Sequence, residues 1–295
     1  MKKRFALLLA LLLLPLSASA RTVVTSFYPV WILTLNLTDG IDGLEVVNLA
    51  EPATGCLHDY TLQNSDMVAL SRADVLLVNG AGMETFLPVV AGAYPDLPVV
   101  DASEGIPLLM ESDTVEIGDH EEGCAANSHL WLDPRRAAAM ASNLAEGLIR
   151  LMPEYEEQIR ANLSSFLERL HALDETVRSG LEGLPSRNVV IFHEAFPYFA
   201  EACGLPVSAV VNKEPDDDLS PSQLIRVMEV IRAENPPPVI LKSAEADRSV
   251  SVLVAETGVP VCELDPMVTG PEQPPLDYYE TVMLGNLQVL RDAMR

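Results

Sequence analysis

The sequence predicts an α/β protein: two parallel-sheet α/β lobes joined by one long rigid helix, with a metal site in the cleft between the lobes. Three observations lead there. At 295 residues the chain exceeds the size at which a single core stops growing, so two domains are expected. Short apolar strand-like runs alternate with helical stretches in both halves, and one helical stretch without turn signals separates them. Four segments set a metal-capable side chain beside an apolar run at nearly matched intervals: His58 and His129 are 71 apart, His193 and Asp265 are 72 apart. That match implies two similar lobes, each giving two ligands to one shared site.

Residues 1–20 read as a signal peptide. Lys2, Lys3 and Arg4 begin it, Phe5 to Leu16 form its apolar run, and Ala18-Ser19-Ala20 is a small-residue cleavage site, so the mature chain begins near Arg21. The apolar run is short for a membrane span. No cysteine precedes Cys56, so a soluble exported protein, not a lipoprotein, is expected.

The first α/β lobe is assigned to residues 21–152. Residues 23–30 read as a strand, 30–37 as a helix and 45–49 as a strand. Loop 50–60 carries Cys56 and His58. A short helix over 62–71 precedes strand 73–80, which ends in glycine, and strand 97–103. Residues 111–128 form a polar loop with Asp119, His120, Glu121, Glu122 and Cys124. Helical periodicity then runs from about 135 to 183, interrupted at Pro153, with Pro134 suited to a helix start. Its second part, 153–184, is the linking helix, closed by Gly183 and Pro185. The second α/β lobe takes residues 185–295. Strands are expected over 189–192, 207–211, 238–241 and 260–264, and helices over 195–204, 249–258 and about 276–294. Ser220-Pro221-Ser222-Gln223 fits a capping box for a helix reaching Glu234. Loop 212–219 is acidic.

The formal charge of −24, falling to −27 without the three cationic leader residues, excludes a phosphate-binding face and hence nucleic acid. A negative field draws cations and raises their encounter rate. At 5% aromatic residues there is no stacking platform for bases or sugars.

His58, His129 and His193 are three of five histidines, read as lying at strand ends with Asp265 in a fourth such place. Ligands of parallel sheets gather beyond the strands' carboxyl ends. Three imidazoles and one carboxylate form a closed tetrahedral set suited to Zn²⁺, with Mn²⁺ the weaker fit. A closed set points to capture and not to catalysis. Two rival readings are a zinc-dependent hydrolase, with Glu194 or Glu263 as base, and a metal-stabilised surface adhesin. The chain lacks HExxH, which weighs against the first. Glu263 is two residues from Asp265, on the same face of a strand, and is an alternate oxygen ligand. His120 is a secondary candidate in the acidic loop; His171 reads as a solvated helix residue. Asp59, Asp133 and Glu194 are placed to orient the imidazoles, although Asp133 reads better as the start of the next helix. Trp131 reads as core. If His58 and His129 meet one ion, Cys56 and Cys124 come close enough to make a candidate disulfide, while Cys203 and Cys262 read as buried thiols.

In order, HDY (58–60), NGAGMETF (79–86), HLWLDP (129–134), FHEAF (192–196) and ELDPM (263–267) resemble the zinc and manganese solute-binding proteins of ABC importers, above all their zinc-type, ZnuA-like branch. The resemblance spans nearly the whole mature chain. It implies two α/β lobes joined by a rigid helix and an ion held in the cleft by His58, His129, His193 and Asp265. It also implies a periplasmic or extracytoplasmic monomer that delivers Zn²⁺ to an ABC transporter permease in the cytoplasmic membrane. The chain departs from that pattern in places. Only His120 stands where relatives carry a histidine-rich loop, Lys242 stands where they carry an acidic residue, and Leu57 precedes His58 where proline is common.

Overall fold

The computed structural model describes residues 20–50, 60–110, 117, 126–184, 187–192, 194–211, 218–244 and 248–295. The leader, His58, Asp59, His120, His193, Cys56 and Cys124 lie outside these residues.

In the first lobe, β1 (Arg21–Thr25), β2 (Leu44–Asn48), β3 (Val75–Val78) and β4 (Val99–Asp101) form a parallel sheet in the order β2-β1-β3-β4. In the second, β5 (Val189–Ile191), β6 (Val207–Val210), β7 (Val239–Lys242) and β8 (Val261–Glu263) form a parallel sheet in the order β6-β5-β7-β8. By position within each lobe the two orders are identical, so the lobes are topological copies. In each, the order reverses beside the first strand, which opens a crevice at the carboxyl end between the first and third strands.

The matched spacings nevertheless do not mark equivalent places. His58 lies ten residues beyond the end of β2, a second strand, whereas His193 lies two beyond β5, a first strand. Among the described residues no strand leads directly into His129, which opens the 3-10 turn Leu130–Leu132. The near-equal intervals are a coincidence of loop lengths.

The expected strand at 23–30 is shorter than the apolar run. Phe27 is extended and caps α1 (Tyr28–Thr38), whose Pro29 sits in the first turn, where its fixed φ and missing N–H suit a helix start. Helix α1 is buried on almost every side, so apolar periodicity does not mark its boundary. Helices α2 (Asn64–Leu70) and α3 (Leu87–Ala93) complete the first lobe's crossovers; α3 was not expected.

Helix α4 (Pro134–Leu151) begins after Asp133, whose side chain accepts from the Arg135 N–H at 2.9 Å. A 3-10 turn at Pro153–Tyr155 then leads into α5 (Glu156–Ser179), the connector. Its 24 residues span about 36 Å at 1.5 Å each. Ile159, Phe166, Leu170, Leu173 and Val177 form its buried stripe, while His171 is exposed as expected. It packs on α1 and α4 of the first lobe and on the terminal α9 (Tyr278–Ala293), where Arg169 meets Glu280 at 2.8 Å. Helices α6 (Pro197–Ala202), α7 (Pro221–Ala233) and α8 (Arg248–Thr257) cover the second sheet; the Ser220 capping box is present.

One hydrophobic core runs from the first sheet through the connector to one face of the second sheet, including Val189, Ile191, Val239 and Leu241. The alternate residues Val190 and Ile240 enter a smaller core beneath α7 and α8. This two-sided burial explains why these strands read as continuous apolar runs. Cys203 and Cys262 are free and buried, as expected, and removal from water pushes both thiols up to about 12. Among the described residues no helix is long and apolar enough to cross a membrane.

Candidate metal centre

Beyond β3 the chain turns through Asn79–Phe86. Gly80 has φ +79°, and a Cβ there would overlap the Asp101 carboxylate and the Ser103 hydroxyl. Glu84 folds back under this turn and is 4% exposed. Its Oε1 accepts from Ser26 Oγ and from the Asn79 N–H, both at 2.7 Å, and its Oε2 from the Gly80 N–H at 3.1 Å. Burial pushes the Glu84 carboxyl up to about 7 against the pull of those donors, with the Asp101 charge adding to burial. The turn thereby held places the Asn79 amide 2.9 Å from the Ser128 carbonyl, next to His129.

His129 is 1% exposed. Its backbone N–H and its Nδ1 lie 3.0 and 3.1 Å from Asn127 Oδ1. Asn127 Nδ2 donates to the Glu194 carbonyl at 2.7 Å, so the loop that follows β5 is bonded to the His129 segment. The Tyr198 hydroxyl donates to the Asn127 carbonyl at 2.8 Å. Trp131 is fully buried, with its ring 5.0 Å from the His129 ring and 5.3 Å from Phe27. Its indole Nε1 donates at 2.9 Å to the carbonyl of Pro266, the residue after Asp265. The Tyr279 hydroxyl donates to the Trp131 carbonyl at 2.6 Å. Trp131 is core, as expected, and it also fastens the His129 segment to the Asp265 turn.

Asp265 lies past the end of β8. Asn286 on α9 grips its backbone at both ends: Oδ1 accepts from the Asp265 N–H and Nδ2 donates to the Asp265 carbonyl, each at 2.8 Å. Asp265 Oδ1 accepts from the Met267 N–H at 2.7 Å. The residue is open to solvent, yet the surrounding protein raises its carboxyl above the usual range, with the Met267 N–H opposing. Tyr28, at the start of α1, donates to the Pro271 carbonyl at 3.0 Å. Burial raises the Tyr28 phenol, and so do Tyr278 and the Asp265 charge nearby. Gly270 permits this approach; a Cβ there would overlap the Tyr28 hydroxyl.

Glu263 and Asp265 do not share a strand face, because β8 ends at Glu263. Glu263 is 61% exposed at its side chain and pairs with Lys242 Nζ at 3.3 Å. Lys242 is itself buried at the end of β7 and donates to the Ser243 carbonyl at 2.7 Å. Asp133 caps α4 and pairs with Arg136 at 2.6 Å; it serves the helix and not the His129 ring. Glu194 contributes its carbonyl, through Asn127. No three His, Cys, Asp or Glu side chains gather as a metal-holding group among the described residues, which include only His129 and Asp265 of the four expected ligands. The sequence reading missed Asn127 and Asn286, which reach the Glu194 carbonyl and the Asp265 backbone only once the chain has folded.

Comparisons with known proteins agree with this architecture. The zinc-binding lipoprotein AdcA of Streptococcus pneumoniae is 26% identical over 281 residues, covering 92% of this chain and 55% of AdcA. The chain thus spans about half the length of the curated relatives it matches. The solute-binding protein FpvC of Pseudomonas aeruginosa, solved in complex with Mn²⁺, superimposes with a TM-score of 0.80 at 25% identity, over 93% of this chain and 98% of FpvC. A crystal structure of ZnuA superimposes with a TM-score of 0.77 at 23% identity, over 94% of this chain and 100% of that one, and shows the shared fold. The family profile described as zinc-uptake complex component A, periplasmic (ZnuA), matches residues 23–293, and the chain belongs to that family.

Proposed function

We propose that this chain is an exported receptor that captures Zn²⁺ between its lobes and delivers it to an ABC-type importer through that importer's permease. The observation that carries the reading is family membership over residues 23–293, joined to the Trp131–Pro266 bond that fastens a candidate ligand segment of one lobe to that of the other. The ion is the cargo, and no bond of a substrate is made or broken. His58, His129, His193 and Asp265 are the proposed ligands. Three imidazole nitrogens and one carboxylate oxygen favour Zn²⁺ over the harder Mn²⁺. Residues 1–20 are the proposed leader, 21–152 and 185–295 the lobes, and 153–184 the link. AdcA is named a lipoprotein; here the first cysteine is Cys56, and a soluble monomer without lipid attachment is proposed. The Cys56–Cys124 disulfide, and His120 as a secondary metal candidate, belong to the same reading.

Metal analysis of protein purified without added metal, followed by Zn²⁺ and Mn²⁺ competition calorimetry, tests it. Zn²⁺ is expected to bind in one site and to displace Mn²⁺. His129→Ala and Asp265→Ala should each weaken Zn²⁺ binding far more than His171→Ala, and equal effects would reject the ligand set.

A further inference from the structure

We infer that Asn127 is a positioning residue that fixes the His129 ring as the tautomer with hydrogen on Nδ1, so that Nε2 is the nitrogen offered to the ion. The inference rests on the reading of His129 as a ligand and says how that ligand is prepared.

The two ends of an asparagine amide are told apart by their partners. Here each end meets a group with a single role. The His129 backbone N–H only donates, and it lies 3.0 Å from Oδ1. The Glu194 backbone carbonyl only accepts, and it lies 2.7 Å from Nδ2. The oxygen end of the amide therefore faces His129. His129 Nδ1 is 3.1 Å from that same oxygen, and an amide oxygen cannot donate. Nδ1 must carry the hydrogen, and the lone pair of the neutral ring is on Nε2.

The amide has little freedom to turn. Asn127 is 7% exposed, and its own carbonyl is held by Tyr198. Turning the amide over would set Nδ2 against the His129 N–H and Oδ1 against the Glu194 carbonyl, opposing like groups at both ends. The ring is confined on another side by Trp131 at 5.0 Å. Partners of this kind orient a ligating imidazole and raise its basicity. Asn127 does this for His129 while holding the backbone of Glu194, the neighbour of His193, so one side chain registers two candidate ligand segments from different lobes.

Two measurements test this on the full mature chain. Long-range proton–nitrogen spectra of the metal-free protein, with the His129 signals identified by their loss in His129→Gln, should show a pyrrole-type nitrogen at Nδ1. A pyridine-type nitrogen there overturns the proposal. Zn²⁺ affinity, by competition with a chromophoric chelator, should fall roughly 10–100-fold in Asn127→Leu. Asn127→Asp keeps an acceptor for both His129 N–H groups but sets an oxygen against the Glu194 carbonyl, so it should recover only part of that loss. The visible bands of bound Co²⁺ should shift in Asn127→Leu. Wild-type affinity in Asn127→Leu, or Co²⁺ bands there identical to those of the wild type, overturns the positioning role. A wild-type chain with the expected tautomer that binds no Zn²⁺ rejects the receptor reading instead, and the tautomer assignment survives.

Discussion

Glu84 supplies a prediction whose size follows from its surroundings. Its carboxyl is buried under the Asn79–Phe86 turn, and desolvation moves it from an ordinary 4.5 to about 7. The folded chain then binds this proton more tightly than the unfolded chain. The sign follows: stability from this group is fully present below pH 4.5 and is lost as pH rises through about 7. At about 1.4 kcal/mol per pH unit, the loss across that interval is roughly 3 kcal/mol. Glu84→Gln removes the titration and keeps one acceptor oxygen, enough for the Asn79 or the Gly80 N–H but not both, a cost that does not vary with pH. Urea unfolding of the chelator-treated proteins from pH 4.5 to 8 is the assay, and the difference between wild type and Glu84→Gln is the quantity read. Groups titrating alike in both proteins cancel in that difference. Wild type should lose about 3 kcal/mol relative to the variant between those limits. A difference flat to within about 0.5 kcal/mol would refute the claim that burial outweighs the three donors.

The fastening between lobes yields a second expectation. Trp131→Phe keeps a ring in the core but leaves the Pro266 carbonyl without its donor, which should cost about 1–3 kcal/mol in thermal unfolding; a change under about 0.5 kcal/mol would mean that water takes the indole's place. Asn286→Leu removes both bonds to the Asp265 backbone and should weaken Zn²⁺ binding in calorimetry by about tenfold or more, with a smaller effect on melting of the metal-free protein than on affinity. Unchanged affinity would show that the turn holds Asp265 without α9. Acidification from pH 7.5 to 5 should weaken Zn²⁺ binding steeply, since protonated imidazole cannot ligate. A pH-independent dissociation constant would contradict ligation by histidine.

Much of the fold was legible because parallel sheets covered on both faces leave unbroken apolar strands. VVIF and PVIL lie within a residue of the β5 and β7 found. Asp133 was legible as a cap because capping is local, with its acceptor two residues from the donor it satisfies. The boundary between β1 and α1 was not, since Phe27 to Leu33 is apolar at every spacing and only Pro29 marks the change. Helix α3 was hidden in LPVVAGA, a seven-residue run with a glycine and no polar face. The expectation of two similar lobes agrees with two sheets of one strand order, but that order is set by the strands, whereas the matched spacings are set by the loops. Glu84 stood within a motif that was noticed, but its burial depends on Ser26, 58 residues away. Asn127 and Asn286 gave no signal. An asparagine two residues before a histidine, or midway along an amphipathic helix, looks like surface until the chain closes around it.

These asparagines explain how the two described segments of the proposed site can be set before an ion arrives. The Asp265 turn is gripped from its own lobe by Asn286 and from the other by Trp131 and Tyr28. The His129 segment is gripped by Asn127 and, through Asn79, by the Glu84 turn. One continuous core lies beneath both. The separation of these two segments is thus a property of the fold. Free energy that a loose cleft would spend on ordering its side chains and turns remains available as affinity. In the proposed site, His129 would offer Nε2 and Asp265 its second carboxylate oxygen, since His129 Nδ1 and Asp265 Oδ1 are bonded within the protein. The same logic predicts where substitutions do most harm. Removing a grip should disturb a proposed ligand without replacing it, and the loss should appear in metal affinity before it appears in the stability of the lobes.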